Sequence, residues 1–277
     1  MDYRSSDTIH DFLQRGKHLA FLLMLIATGW GYSFLQVIAL APEMSLSQFG
    51  PGMSTLTFLS SQPPTAMSNL ISSIPLCSNF GLSWTIESLS GSILMWLGMV
   101  LAMMVPTLLM PGVLRPSKAN AFIIFLFGYV VIWFVFCIFG VALQWSLQAY
   151  GVLNNSLVIN NSSASAITFL IIGGVQLFKP NLASLPDYLK LSKSTQKNTA
   201  SLSDDFRAGL KKGGGCVYSC FPVMFVMFVF GLMNLVAMAF LTIIMYLTAN
   251  VATCLITRGV GLALIVSGML LLELGHA

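Results

Sequence analysis

Cys216 and Cys220 stand four residues apart at the head of a long apolar run, and Met224 follows after another four. Residues four apart share a face of a helix, so this spacing would aim two thiolates and a thioether the same way. Those are soft donors of the kind that suits Cu(I). Plotted at 100° per residue, an arc of about 80° also takes in Met227, Gly231, Asn234, Met238 and Met245, if the helix is regular and Pro222 does not kink it. An earlier run gathers Met95, Met99, Met103 and Met110 into a narrow thioether stripe. Packing is the other use of the same residues, since Met fills irregular apolar gaps and a buried free Cys behaves as a small hydrophobe. Histidine, the commonest metal ligand, occurs only at His10, His18 and His276, outside the predicted membrane spans.

Other chemistry is sparse. Gln36, Gln144, Gln176 and Asn234 are the amide side chains inside apolar runs, and burying such groups unpaired is costly. Interhelical hydrogen bonds are one use; a solute path is the other, and it would need all four to face one cavity. No Asp, Glu, Lys or Arg falls at the centre of an apolar run, which argues against a proton-coupled pump. Walker loop, dinucleotide fingerprint, nucleophile elbow and HExxH are all missing from the sequence, so a non-enzymatic protein is expected.

The elements that must position these residues are membrane helices. Of 277 residues 56% are hydrophobic and 8% charged, far below the charge a soluble domain carries. Six apolar segments emerge: Leu19 to Ala41, Ser90 to Met110, Ala121 to Leu147, Ala164 to Phe178, Val217 to Leu247, and a last from Val251 or Val260 to Leu274. Their lengths approach or exceed the roughly 20 residues that cross a bilayer. Ala164 to Phe178 is short, and must borrow from Ser162 and Ser163 or let Lys179 snorkel. Leu19 to Ala41 is longer than a signal-peptide core and is followed by Pro42, so it reads as a retained first helix. The expected fold is all-α, a polytopic transmembrane bundle of about six helices forming one membrane domain over 1–277. Close helix contacts are expected where Ala27 pairs with Gly31 and Gly98 with Ala102.

Basic residues test that count, because they should collect in the cytoplasmic loops. Arg4, Arg15 and Lys17 precede the first segment, and Arg115 and Lys118 follow the second. Lys179, Lys190, Lys193, Lys197, Arg207, Lys211 and Lys212 follow the fourth. With six spans these fall on one side and only Arg258 is left outside. The pattern predicts cytoplasmic termini, a basic cytoplasmic loop over 180–215 and an external loop over 42–89, in a cell inner (plasma) membrane. The external loop is rich in Ser, Pro and Gly and holds Cys77; its apolar patches suggest that it lies back on the bundle. Asn154-Asn155-Ser156 and Asn161-Ser162-Ser163 match the glycosylation pattern, a frequent chance match.

Four blocks carry a family resemblance: MWLGMVLAMMVPTLLMP from Met95 to Pro111, GYVVIW from Gly128 to Trp133, GVQL from Gly174 to Leu177, and GCVYSCFPVMFVMFVFGLMNL from Gly215 to Leu235. They resemble the bacterial and archaeal family of predicted metal-binding integral membrane proteins known mainly as a domain of unknown function. The likeness covers about two thirds of the chain, from the second helix onward. It implies a multi-helix membrane protein with cysteines at its cytoplasmic edge. The chain departs from the family pattern at Ser184, Tyr188 and Ser219, where the family has cysteines, and at Thr248, near its usual acidic residue. A full cysteine set is thus not kept. One reading is an accessory or scaffold subunit of a membrane complex, with the lipid bilayer and other membrane subunits as partners and no nucleic acid. A second is a metal-handling protein that takes copper at Cys216, Cys220 and Met224. A small-solute channel or transporter is the third.

Overall fold

In a computed structural model the chain is described at residues 3–41, 45–56, 85–109, 119–154, 156–178, 202–250 and 254–276. Among the described residues seven long helices form, with one short helical turn: α1 (Tyr3–Leu40), α2 (Ile86–Met104), α3 (Ala119–Ala149), α4 (Ser162–Phe178), α5 (Leu202–Phe225), α6 (Met227–Phe230), α7 (Leu235–Asn250) and α8 (Cys254–His276). Five stretches are long and apolar enough to cross a membrane: Leu13–Leu40, Ile86–Leu108, Asn120–Ala149, Leu202–Phe230 and Leu255–Glu273. Helix α2 is the hub, its apolar window 67% buried against 11% for α8, and it touches α1, α3 and α7.

The expected six helices become seven because the run from Val217 to Leu247 is broken. Helix α5 already loses a hydrogen bond at Pro222, and the chain tightens through Val226 N–H to the Val223 carbonyl at 3.1 Å. It then stops at Gly231, whose φ of 101° lies where a side chain is rarely tolerated. Asn234 restarts it: its Oδ1 accepts the Ala237 N–H at 2.9 Å, an N-cap for α7. The same side chain donates through Nδ2 to the carbonyls of Phe230 and Pro51, each at 3.0 Å. A segment of two tight turns, Leu46–Phe49 and Met53–Thr55, is thereby fastened over the break, with Phe49 and Met53 fully buried.

Direction follows from the close contacts. Gly29 of α1 lies against Gly98 and Ala102 of α2, where a Cβ would stand 2.6 Å from the Ala102 nitrogen. Gly98 and Ala102 are thus at the α1 interface as expected. Ala27 and Gly31 are not: both are exposed, and the buried face of α1 runs through Leu22, Gly29, Ser33, Gln36 and Val37. Helices α3 and α5 run parallel, Phe125 meeting Gly209 at one end and Phe139 meeting Phe225 at the other. Helices α4 and α8 are antiparallel, with Gly173 on Gly261 and the Ser162 hydroxyl 3.4 Å from the Leu271 carbonyl. Between them α7 returns from the Gly231 turn toward Val105–Leu108, which it contacts.

That return reverses the direction in which α8 runs relative to a six-helix count. The Tyr3 end of α1 and the His276 end of α8 lie at opposite ends of the bundle. It also brings Arg258, the exception in a six-span count, to the end that carries Arg15, Lys17, Arg207, Lys211 and Lys212. Leu202 onward is helix within 180–215, and α2 begins at Ile86 within 42–89. Helix α4 does borrow Ser162 and Ser163, Asn161 capping it by accepting the Ser163 N–H at 2.8 Å. Asn154 turns its Oδ1 inward to the N–H groups of Ser156 and Val158. Cys77, Ser184, Tyr188 and Asn155 lie outside the described residues.

Candidate metal site

Glycines set the site's geometry. Along the parallel contact of α3 and α5, a Cβ at Gly209 would overlap the Phe125 carbonyl, and one at Gly213 would sit 3.1 Å from the Tyr129 carbonyl. The backbones therefore touch, and two turns of α5 later the Cys216 side chain meets Tyr129. Both cysteines are buried, Cys216 at 7% and Cys220 at 1% exposure, and their Sγ atoms are 3.9 Å apart. No disulfide joins them.

Hydrogen bonds from two other helical segments hold Cys216. The Tyr129 hydroxyl of α3 lies 3.4 Å from its Sγ. The Thr107 hydroxyl, just past the end of α2, is 3.6 Å from it. Thr107 donates to the Met104 carbonyl at 2.6 Å, and Tyr129 is also within 3.1 Å of that carbonyl. The single phenolic proton of Tyr129 lies between the Met104 carbonyl and the Cys216 sulfur, while Thr107, whose own proton goes to Met104, can accept from the Cys216 thiol. Lys212 stands one turn before Cys216 on α5.

Cys216 and Cys220 are thus brought together as their spacing suggests, and Met224 is buried one turn further along the same helix. The longer arc does not survive as one helix face, because Asn234 is spent on the turn and Met238 and Met245 belong to α7. All three are nonetheless buried. Thr107 and Tyr129 were not among the residues singled out from the sequence. Their signal was present: a hydroxyl beside Pro106 and a phenol mid-span each need a polar partner when buried. Histidine stays apart. His18 lies inside the first apolar stretch rather than before it, buried and stacked on Phe122 at 4.1 Å. Among the described residues no three His, Cys, Asp or Glu side chains cluster.

The four amides have separate uses. Gln144 Oε1 accepts the Trp96 indole N–H at 2.8 Å across α2 and α3, an interhelical bond. Gln36 donates to the Tyr32 hydroxyl at 3.0 Å within α1, Gln176 is buried with its Oε1 unpartnered, and Asn234 fastens the turn.

The family model for PpoB2, copper chaperone, matches residues 93–271, well over half of the chain and inclusive of both cysteines. No curated protein and no solved structure matches it.

Proposed function

We propose, from the premise that this chain belongs to the PpoB2 copper chaperone family, that it is a membrane-embedded carrier of Cu(I) whose cargo is held between Cys216 and Cys220. The observation that carries this reading is the buried sulfur pair, 3.9 Å apart and tethered to α3 and the end of α2. With metal–sulfur bonds of about 2.3 Å, two sulfurs at that separation subtend roughly 116° at a metal. That is close to the trigonal angle, so the pair leaves room for a third soft donor, and Met224 is the one assigned here. Thiolate and thioether donors favour Cu(I) over harder cations.

Each part of the arrangement has a task. The cysteines must lose protons to bind, and two thiolates around one Cu(I) leave a net negative charge that the Lys212 ammonium offsets. Tyr129 orients Cys216 and takes up part of the sulfur charge by hydrogen bonding. Delivery needs no redox step: an incoming sulfur donor from a recipient adds to the three-coordinate ion while one resident donor leaves. A chaperone must dock the protein it supplies, so the accessory-subunit reading merges with this one. The partners are then a recipient copper protein and the bilayer. The collected Lys and Arg put the Cys216 end of the bundle in the cytoplasm by the positive-inside rule, in a cell inner membrane, and no catalytic role is assigned.

The test is anaerobic Cu(I) titration of the detergent-purified chain, read by the near-ultraviolet thiolate-to-copper charge-transfer band. The band saturates at about one Cu(I) per chain and is absent from Cys216→Ser with Cys220→Ser. An identical band in that double variant sinks the reading.

A further inference from the structure

A second group of sulfurs lies deeper in the bundle. A cavity of about 10 Å³ opens where α1, α2 and the Gly231–Asn234 break meet, and Met95, Met99, Met233 and Met238 line it with Ser33 and Gln36. Its volume is that of about one water molecule or one ion. Four methionines around so small a space is an unusual use of the residue if packing were the only purpose. Leu or Ile would fill the same volume with fewer rotatable bonds.

The backbone is arranged around this cavity. Irregular backbone inside a bilayer is tolerated where it is shielded by protein or lines a cavity, and broken spans commonly mark sites for ions. Here the broken run supplies Met233 from the turn and Met238 from the first turn of α7. Met95 and Met99, four apart on α2, share the facing side. Ser33 spends its hydroxyl proton on the Gly29 carbonyl at 3.0 Å, and Gln36 gives an amide proton to Tyr32. What Ser33 and Gln36 keep after those bonds are acceptor oxygens, and the thioethers around the cavity, each on a flexible stem, can turn into it.

We infer that this cavity is a second Cu(I) site, ligated by thioethers, to which the cysteine pair passes its ion. The inference rests on the copper-carrier reading and deepens it. Both sites adjoin α2: Tyr129 and Thr107, which hold Cys216, meet it at the Met104 carbonyl, and the cavity meets it at Met95 and Met99. At about 1.5 Å rise per residue these levels lie roughly 8–18 Å apart along the helix axis, with the cavity farther from the basic end. Buried Met224 and Met227 lie on the intervening stretch of α5 and α6. Neutral thioethers hold Cu(I) less tightly than two thiolates and reject Cu(II), so the cavity suits a site from which the ion leaves.

The experiment combines Cu(I) stoichiometry with copper X-ray absorption on selenomethionine-labelled full-length protein in detergent, where a Cu–Se distance reports methionine ligation. Wild type should take up about two Cu(I) per chain, and Cys216→Ser with Cys220→Ser about one, showing Cu–Se scattering and no thiolate band. Met95→Leu with Met99→Leu nearly conserves volume; it should keep the band, lose about one Cu(I), and abolish Cu–Se scattering in the cysteine-free background. A wild type that binds about one Cu(I), all of it lost with the cysteines, overturns the cavity site and leaves the thiolate carrier standing. Copper that survives the cysteine substitutions with Cu–Se scattering, from a wild type without a thiolate band, overturns the thiolate pair and supports the cavity.

Discussion

Replacing Asn234 separates two accounts of why an amide sits at a break in an apolar run. The side chain is fully buried and makes three hydrogen bonds: it accepts from Ala237 N–H and donates to the Phe230 and Pro51 carbonyls. Loss of an N-cap costs about 1 kcal/mol. Each lost donor bond adds about 0.5–1.5 kcal/mol, with Pro51 at the low end because it is exposed to water. Asn234→Ala should therefore destabilise the fold by about 2–3 kcal/mol, equivalent to a fall of roughly 4–12 °C in melting temperature. Asn234→Asp is the discriminating variant. Asp caps helices as well as Asn does, yet here it would keep the bond to Ala237 and turn a second oxygen onto two carbonyls. It should melt at or below the Ala variant. The assay is thermal unfolding in detergent, followed by a thiol-reactive fluorophore that labels Cys137, Cys216 and Cys220, all buried in the folded chain. An Asp variant that melts with wild type would show that Asn234 is a cap alone, and that nothing of consequence ties the Leu46–Thr55 segment to the break.

Two further outcomes follow from the sulfur pair's surroundings. Tyr129→Phe removes the hydroxyl 3.4 Å from Cys216 without changing the ring; Cu(I) affinity, measured by competition with a chromophoric chelator, should fall about 10–100-fold with stoichiometry unchanged. Gly209→Val forces α3 and α5 apart at the Phe125 carbonyl. It should cost about 1–3 kcal/mol and weaken the thiolate band although the substituted residue lies two turns from the sulfurs, whereas Gly214→Ala, with nothing within 4 Å of its Cβ, should do neither.

What the sequence disclosed was the part of the structure governed by local periodicity. A spacing of four from Cys216 to Cys220 puts both on one helix face whatever the rest of the chain does, and the structure keeps them 3.9 Å apart. Apolar length located α3 and α4 to within two residues at each end. The break at Gly231 was harder to see, because a run from Val217 to Leu247 is apolar throughout and hydropathy does not register a turn inside it. The local signals were there, Pro222 and then Gly231 three residues before Asn234, but each alone is tolerated in a membrane helix. Thr107 and Tyr129 were hidden for a different reason. They reach Cys216 from 109 and 87 residues away in sequence, and helix spacing carries no information about contacts between helices.

The broken run changes how the charge pattern is understood. With six spans, twelve basic residues sit on one side and Arg258 on the other, an exception that the positive-inside rule has to absorb. One additional return of the chain, through α7, removes the exception by bringing Arg258 to the same end as Lys212 and Arg207. The same return carries Met238 to the cavity beside Met95 and Met99. A single event, the cap at Asn234 after the turn at Gly231, therefore accounts for the helix number, the placement of Arg258 and the gathering of four thioethers in one space. An uninterrupted helix over Val217 to Leu247 would have set Met233 and Met238 about 140° apart around one helix, so that α2 could not face both. The sulfur arc in the sequence is thus divided by the fold into two places. A thiolate pair stands near the basic end and a thioether cavity lies toward the other, along the line a metal ion would travel if the bundle carries it between the two faces of a membrane.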